Sequence, residues 1–210
     1  MMKYRLVLFD VDSTLIEQEV IDLLAKRTPS AQQVADITER AMRGEIDFDQ
    51  ALTKRVALLA GLSEQIFTDV LSEISFTAGA LDLLHELRSR GVAIGVVSGG
   101  FHNVLDNLFA DFNLDLLKAN VLEVENGFLT GKVQGEIVNR AVKAQSLASF
   151  AQRMAVNIDE TVAIGDGSND ISMIQAAGLG ISFCGKPILE QAADVTIQER
   201  NLLRVLDYLN

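Results

Sequence analysis

The sequence predicts an α/β fold: a mostly parallel sheet covered by helices on both faces, with a helical domain inserted near its start. Three observations predict it. Apolar runs of four to seven residues alternate with amphipathic stretches, as expected of a sheet packed on both faces. The strongest of these runs each end in a polar or glycine-rich segment: Asp10-Val11-Asp12, Ser98-Gly99-Gly100 and Asp166-Gly167. Finally, no strand pattern occurs between Leu15 and Phe76.

The first strand spans Lys3 to Phe9, where Tyr4, Leu6, Val7, Leu8 and Phe9 form a nearly unbroken apolar run. Such a run suits a buried parallel strand. Further strands are expected at Val92 to Val97 and Thr161 to Gly165, with short ones at Leu179 to Phe183 and Asp194 to Ile197. Between them, helical patterns cover Ala78 to Arg90, Phe101 to Phe109, Asn139 to Met154, Asn169 to Ala177 and Asn201 to Leu209. Asn126-Gly127 separates two strand-like runs and predicts a tight β-hairpin over Val121 to Val133. The inserted segment reads as four helices, near Glu17–Lys26, Ala31–Met42, Phe48–Leu59 and Glu64–Ile74, with Ser30 and Ser63 placed to cap the second and fourth. The expected division is a core of residues 1–14 and 77–210 and an inserted helical cap of residues 15–76.

Composition narrows the function. The chain has 210 residues, 49% apolar, enough for a core without disulfides or structural metal. Its single cysteine, Cys184, has no intramolecular partner, which points to a reducing, cytoplasmic setting. The start of the chain lacks a signal-peptide apolar stretch of about 7–15 residues, and nothing approaches the roughly 20 apolar residues of a membrane helix. A formal charge of -11 repels polyanions, so no nucleic-acid partner is expected. A small phosphate can still bind such a protein, given a cation, a lysine or converging backbone N–H groups.

All three are on offer beyond the strand ends. Asp10 and Asp12 can converge on one side of an extended loop. Like charges that close favour either a cation between them or a retained proton. A hard cation such as Mg²⁺ suits oxygen ligands, and a retained proton can be given to a leaving oxygen. Asp166 and Asp170 add two more carboxylates, and Asn169 adds an amide donor. Ser98-Gly99-Gly100 reads as a loop opening a helix, a general anion site. Lys143 lies beside Ser146, Leu147 and Phe150 on one helix face. Each feature also has a plain structural reading: an acidic loop, a helix-capping loop, an ordinary turn, a snorkelling lysine. His85 reads as a structural or surface residue, and His102, nearer Ser98-Gly99-Gly100, as a weak catalytic candidate. The P-loop, nucleophile-elbow, HExxH and CxxC patterns are all absent.

Taken as an ordered set, VLFDVDSTL, VVSGGF, Lys143 and AIGDGSNDISM resemble the four motifs of the haloacid dehalogenase-like superfamily. Across nearly its whole length the chain is similar to the phosphoserine phosphatase family within it. The resemblance implies a Rossmann-like core and hydrolysis of O-phospho-L-serine to L-serine and phosphate, the last step of serine biosynthesis. Asp10 is then the nucleophile and Asp12 the general acid and base. Mg²⁺ is held by Asp10, Asp166 and the backbone carbonyl of Asp12, with Asp170 in support. Ser98, Gly99, Gly100, Lys143 and Asn169 contact the phosphoryl group. Glu19 and Arg55 resemble the pair that holds the substrate's amino and carboxylate groups, and Met42 and Phe48 match apolar cap positions, although both also read as helix-packing core. FCGKPIL (Phe183 to Leu189) also resembles the family and gives Cys184 a structural role. Two departures stand out: Ser168 replaces the alanine of many relatives, and no regulatory domain precedes the motifs.

Other readings stay open at this level. The same chemistry suits phosphothreonine or phosphohomoserine, since one methylene changes discrimination by only about 1–3 kcal/mol. A phosphomutase and a non-catalytic receiver-like protein are less well matched. Receivers lack a helical insertion after the first strand, and the presence of both Asp10 and Asp12 favours turnover. Monomer and weak homodimer are both compatible with the sequence.

Overall fold

The computed structural model describes residues 3–209; Met1, Met2 and Asn210, assigned above to the core, lie outside them. Strand β1 is Leu6–Phe9, shorter than the expected run and wholly buried. It pairs in parallel with β2 (Ala93–Phe101) on one side and β5 (Thr161–Gly165) on the other. With β3 (Leu116–Glu125), β4 (Phe128–Gln134), β6 (Leu179–Phe183) and β7 (Val195–Ile197), the described residues form a seven-stranded sheet ordered β4-β3-β2-β1-β5-β6-β7. Only the β3–β4 pair is antiparallel. Its turn is Asn126-Gly127, with φ of 51° and 83°, the left-handed pair that a two-residue hairpin needs.

The unbroken apolar run of β1 follows from its central position. Val7 and Phe9 face one apolar cluster, and Leu6 and Leu8 face another across the sheet. The first cluster takes in α5 (Ala80–Ser89) and α6 (His102–Leu108); the second takes in α7 (Arg140–Arg153) and α8 (Ile171–Ala176). A Cβ on Gly95 of β2 would lie 2.5 Å from the Phe150 ring and 2.8 Å from Leu8. The missing side chain is therefore the slot that seats α7 against the sheet.

The segment after β1 is helical, as expected: α1 (Val20–Ala25), α2 (Ala31–Met42), α3 (Phe48–Ala57) and α4 (Ile66–Asp69). Its two ends lie side by side, with Ile16 bridged to Phe76 and the Thr77 N–H donating to the Leu15 carbonyl at 2.9 Å. Backbone bonds also tie it to the hairpin, from Gly61 N–H to Leu129 O and from Leu129 N–H to Leu62 O, both 2.8 Å. Its apolar side chains join the first cluster without a break.

Several local expectations are corrected. Ser30 sits before α2 but its hydroxyl makes no capping bond; Thr28 accepts the Ser30 N–H instead, at 3.1 Å. The fourth inserted helix ends at Asp69 and continues as a 3-10 turn, Val70–Glu73, where the Ser72 hydroxyl bonds the Asp69 carbonyl and competes with the helix ladder. The C-terminal helix, Leu202–Tyr208, is also 3-10, with Asn201 capping Leu203 N–H at 3.0 Å. Most consequentially, β2 runs on to Phe101, with its pairing to β3 shifting register across Ser98, Gly99 and Gly100, so this stretch is an irregular, bulged strand rather than a helix-opening loop.

Filling the Gly95 slot should displace α7. Gly95→Ala (G95A) is expected to lower the unfolding free energy by about 1–3 kcal/mol, the usual range for overpacking. Urea denaturation of both proteins checks it, and an unchanged midpoint would count against tight seating of α7.

Candidate active site

The sheet brings the polar segments together at the carboxyl ends of its central strands, where ligands of open α/β sheets bind. Asp10 follows β1, and its N–H donates to the Ile164 carbonyl of β5 at 2.9 Å. The chain then turns tightly through Val11–Leu15, with Ser13 left-handed at φ 56° and Asp12 extended. Lys143, one turn into α7, reaches under this loop. Its Nζ donates to Asp10 Oδ1 at 2.6 Å and to Asp170 Oδ1 at 2.7 Å, and its side chain is 0% exposed. Asp170 Oδ2 accepts the N–H groups of Asp166 and Gly167, each at 3.1 Å. Both Asp170 oxygens are thus engaged in shaping the site.

Electrostatics follow from burial. Asp10 is pushed up to about 7 by desolvation and by Asp170, against the pull of Lys143. Desolvation, then Glu19 and Asp10, holds Asp12 well above the ordinary carboxyl range. Desolvation, with Glu19, Asp10 and Asp170 behind it, does the same to Asp166. Burial opposes the Lys143 charge, but Asp10 and Asp170 outweigh it and raise its proton affinity above that of a free lysine. One ammonium therefore serves more carboxylates than it can neutralise. Ligand oxygens from Asp10, Asp166 and Asp170 lie within 4.8 Å of one another, and Asp166 Oδ1 is buried with no hydrogen-bond partner. An all-oxygen, electron-rich set with an orphaned acceptor fits a hard divalent cation.

A narrow cavity opens beside this cluster. Asp10, Asp12, Gly99, Gly100 and Asn169 line it from the sheet, and Glu19, Met42, Phe48 and Arg55 line it from the inserted helices. The structure thus brings nine sequence-predicted residues to one space, including Met42 and Phe48. Phe48 lies against Gly99, where an added Cβ would come within 2.8 Å of its ring. Lys143 and Asp170 act from behind Asp10. Ser98 is fully buried, and its hydroxyl accepts the Gly100 N–H at 2.8 Å. Asp12 Oδ2 accepts the Val20 N–H at 3.2 Å, while its Oδ1 and Asn169 Oδ1 are buried without partners.

Four contributors escaped the sequence reading. Ser13 donates to Glu19 Oε1 at 2.7 Å. Arg200 bonds the Ser13 carbonyl at 3.1 Å and Glu17 at 2.7 Å. Thr38 and Asp22 form a chain behind Arg55. Spacing on one helix face links Thr38 to Val34; nothing local links Arg200 to Ser13. His102 is absent from the cavity lining: its Nε2 accepts the Ala119 N–H at 3.1 Å and its Nδ1 faces Asp106 at 2.7 Å. Cys184 sits in a turn with φ 47° and its N–H bonds Ile197. Among the described residues, no helix is long and apolar enough to cross a membrane.

Comparison with known proteins agrees with this geometry. Residues 7–175 match the family model of haloacid dehalogenase-like hydrolases. A phosphoserine phosphatase of Streptococcus thermophilus is 50% identical over 98% of this chain and 95% of its own length. One from Methanocaldococcus jannaschii is 42% identical, covering 99% of this chain and 98% of that protein. A solved phospho-aspartyl intermediate analogue of phosphoserine phosphatase superposes with a TM-score of 0.95 at 42% identity, over 99% of both chains. The chain belongs to the haloacid dehalogenase-like hydrolases, and among them to the phosphoserine phosphatases.

Proposed function

We propose that the protein hydrolyses O-phospho-L-serine to L-serine and phosphate in the cytoplasm, through an aspartyl phosphate formed on Asp10. The observation that carries this reading is a single cavity lined both by the buried Asp10–Asp12 pair and by Glu19 and Arg55. A phosphoryl group needs the first pair, and an amino acid zwitterion is matched by the second.

Asp10 attacks phosphorus in line as the serine oxygen leaves. Lys143 holds its carboxylate in a fixed orientation and favours the ionised form needed for attack. Burial, then Glu19 and Asp10, raises the proton affinity of Asp12, and its unpartnered Oδ1 is suited to donate a proton to the departing alkoxide. Asp12, now ionised, takes a proton from the water that cleaves the aspartyl phosphate. Asn169 and the backbone of Gly99 and Gly100 border the phosphoryl site, with Ser98 and Lys143 shaping it from behind. Asp10, Asp166 and the Asp12 carbonyl would hold Mg²⁺, supported by Asp170; when bound, the cation reduces repulsion between carboxylate and phosphate dianion. Residues 15–76 would act as a cap: Glu19 receives the substrate ammonium, Arg55 its carboxylate, and Met42 and Phe48 exclude water.

Phosphate release from O-phospho-L-serine should require Mg²⁺, stop with EDTA, and disappear in Asp10→Asn (D10N). Release by D10N at the wild-type rate would overturn the nucleophile assignment. Asp12→Asn (D12N) should lose about 10²–10⁴-fold in kcat on this substrate. On an aryl phosphate, whose leaving group needs less proton assistance, the loss should be at least about tenfold smaller; equal losses would exclude Asp12 as the acid. Arg55→Ala (R55A) should lower kcat/KM for O-phospho-L-serine by about 10–150-fold, the value of a charged hydrogen bond. It should affect an aryl phosphate far less. Parallel losses on both would assign Arg55 to structure or to general phosphate binding.

A further inference from the structure

The residues behind Arg55 form a hydrogen-bond chain, buried at Arg55 and Thr38 and partly exposed at Asp22, that reaches no reacting atom. Arg55 in α3 is only 4% exposed, a costly place for a charge. Its Nε donates to the Ala51 carbonyl at 3.3 Å and its Nη1 to Thr38 Oγ1 at 3.0 Å. Thr38, in α2, is 3% exposed, and its Oγ1 lies 2.8 Å from Asp22 Oδ1 in α1 and 3.0 Å from the Val34 carbonyl. A hydroxyl has one proton to give. The nearer, charged Asp22 oxygen is the stronger acceptor. That polarises the hydroxyl oxygen toward Arg55, so the chain runs from guanidinium to hydroxyl to carboxylate across three inserted helices.

A guanidinium carries five N–H groups in a rigid plane. Tying Nε and one Nη1 proton to Ala51 and Thr38 fixes that plane while the remaining N–H groups stay available to a ligand in the cavity that Arg55 lines. Without the Thr38 anchor, the plane can rotate about its long side chain and a bidentate carboxylate contact loses its preorganisation.

We propose that Thr38, backed by Asp22, is a positioning residue that sets the protein's selectivity for a carboxylate-bearing phosphomonoester by orienting Arg55. This rests on Arg55 being the carboxylate-binding group. The chain acts on recognition of the substrate and leaves phosphoryl transfer untouched, so it separates KM from kcat.

The test uses Thr38→Val (T38V), which keeps the shape and removes the hydroxyl, with Thr38→Ser (T38S) as the conservative control. T38V should raise KM for O-phospho-L-serine about tenfold, the loss of one hydrogen bond to a charged group. Its kcat should change less than about twofold, and kcat/KM for an aryl phosphate should stay within about twofold, set against that loss. T38S should restore KM. In an R55A background, T38V should have no further effect on KM. An unchanged KM in T38V, equal losses on both substrates, or failure of T38S to rescue would overturn the proposal. Partial unfolding would raise the apparent KM for both substrates alike, so the unchanged aryl phosphate is the readout that separates lost positioning from lost stability. Should T38V give no folded protein, Thr38→Ala (T38A), which adds no bulk, carries the same expectations. The two layers are distinguishable: if R55A itself spares O-phospho-L-serine, the reading of Arg55 falls; if R55A discriminates and T38V does not, only the relay falls.

Discussion

The site depends on one buried ammonium. Lys143 is fully enclosed between Asp10 and Asp170, at 2.6 and 2.7 Å. Leaving any of these three charges alone at that depth would cost several kcal/mol, so each constrains the other two. The constraint is geometric as well as electrostatic: the end of β1, the first turn of α7 and the turn after β5 must meet at one point. Gly95 allows α7 to lie close enough for Lys143 to reach. A buried ion pair is poor evidence of stability, but it is an effective way to fix a carboxylate that must attack along one line.

That arrangement leaves negative charge uncompensated. Lys143 is shared by two carboxylates, and Asp12, Asp166 and Glu19 each sit above their ordinary range chiefly through desolvation. The same crowding makes the pocket receptive to cations and hostile to anions. An overall charge of -11 deepens that hostility to polyanions. Arg55 is the exception in the cavity wall: burial lowers its proton affinity, and Glu19, Asp22 and Asp12 work in the opposite direction. Selectivity for a zwitterionic ester is thus compatible with a strongly acidic interior.

The parts legible in the sequence were those encoded by local pattern. Buried parallel strands leave continuous apolar runs, and Asn126-Gly127 announces its hairpin because few other pairs tolerate both positive φ values. The acids and glycines at strand ends could be placed without knowing strand order, since parallel strands deliver their carboxyl ends to one edge. Tertiary choices were not legible. Whether Ser98 begins a loop or continues β2 is settled by pairing with β3, through Phe101 opposite Asn120, and by Asn120 Nδ2 bonding the Gly99 carbonyl at 2.8 Å. Thr38, Asp22 and Arg200 look like ordinary helix and loop residues until the helices are packed. The bonds that join Thr38 to Asp22 and Arg200 to Ser13 span 16 and 187 positions in sequence, and no periodicity records those distances.

The walls of the cavity come from both parts of the chain, so a ligand held between them touches the inserted helices and the sheet together. The attachments between these parts differ in kind. The neck at Ile16 and Phe76, and the hairpin at Leu129, are joined by backbone hydrogen bonds. Breaking those leaves amide groups that need new partners. Elsewhere the contact is made by side chains: Ser168 Oγ donates to the Ala41 carbonyl at 2.8 Å, and Asn139 Nδ2 to Asp49 Oδ2 at 2.9 Å. Ser168, Asn139 and Asp49 line a surface groove that shares Phe48 and Asn169 with the cavity, where water can replace either bond. The inserted helices are thus held by backbone bonds at the neck and hairpin, and by side-chain bonds at this groove. Ser168 lies in the AIGDGSNDISM segment, two residues after Asp166. Its hydroxyl adds a bond from the core to the inserted helices at this groove, and none of its hydrogen bonds involves Asp10, Asp12 or Lys143.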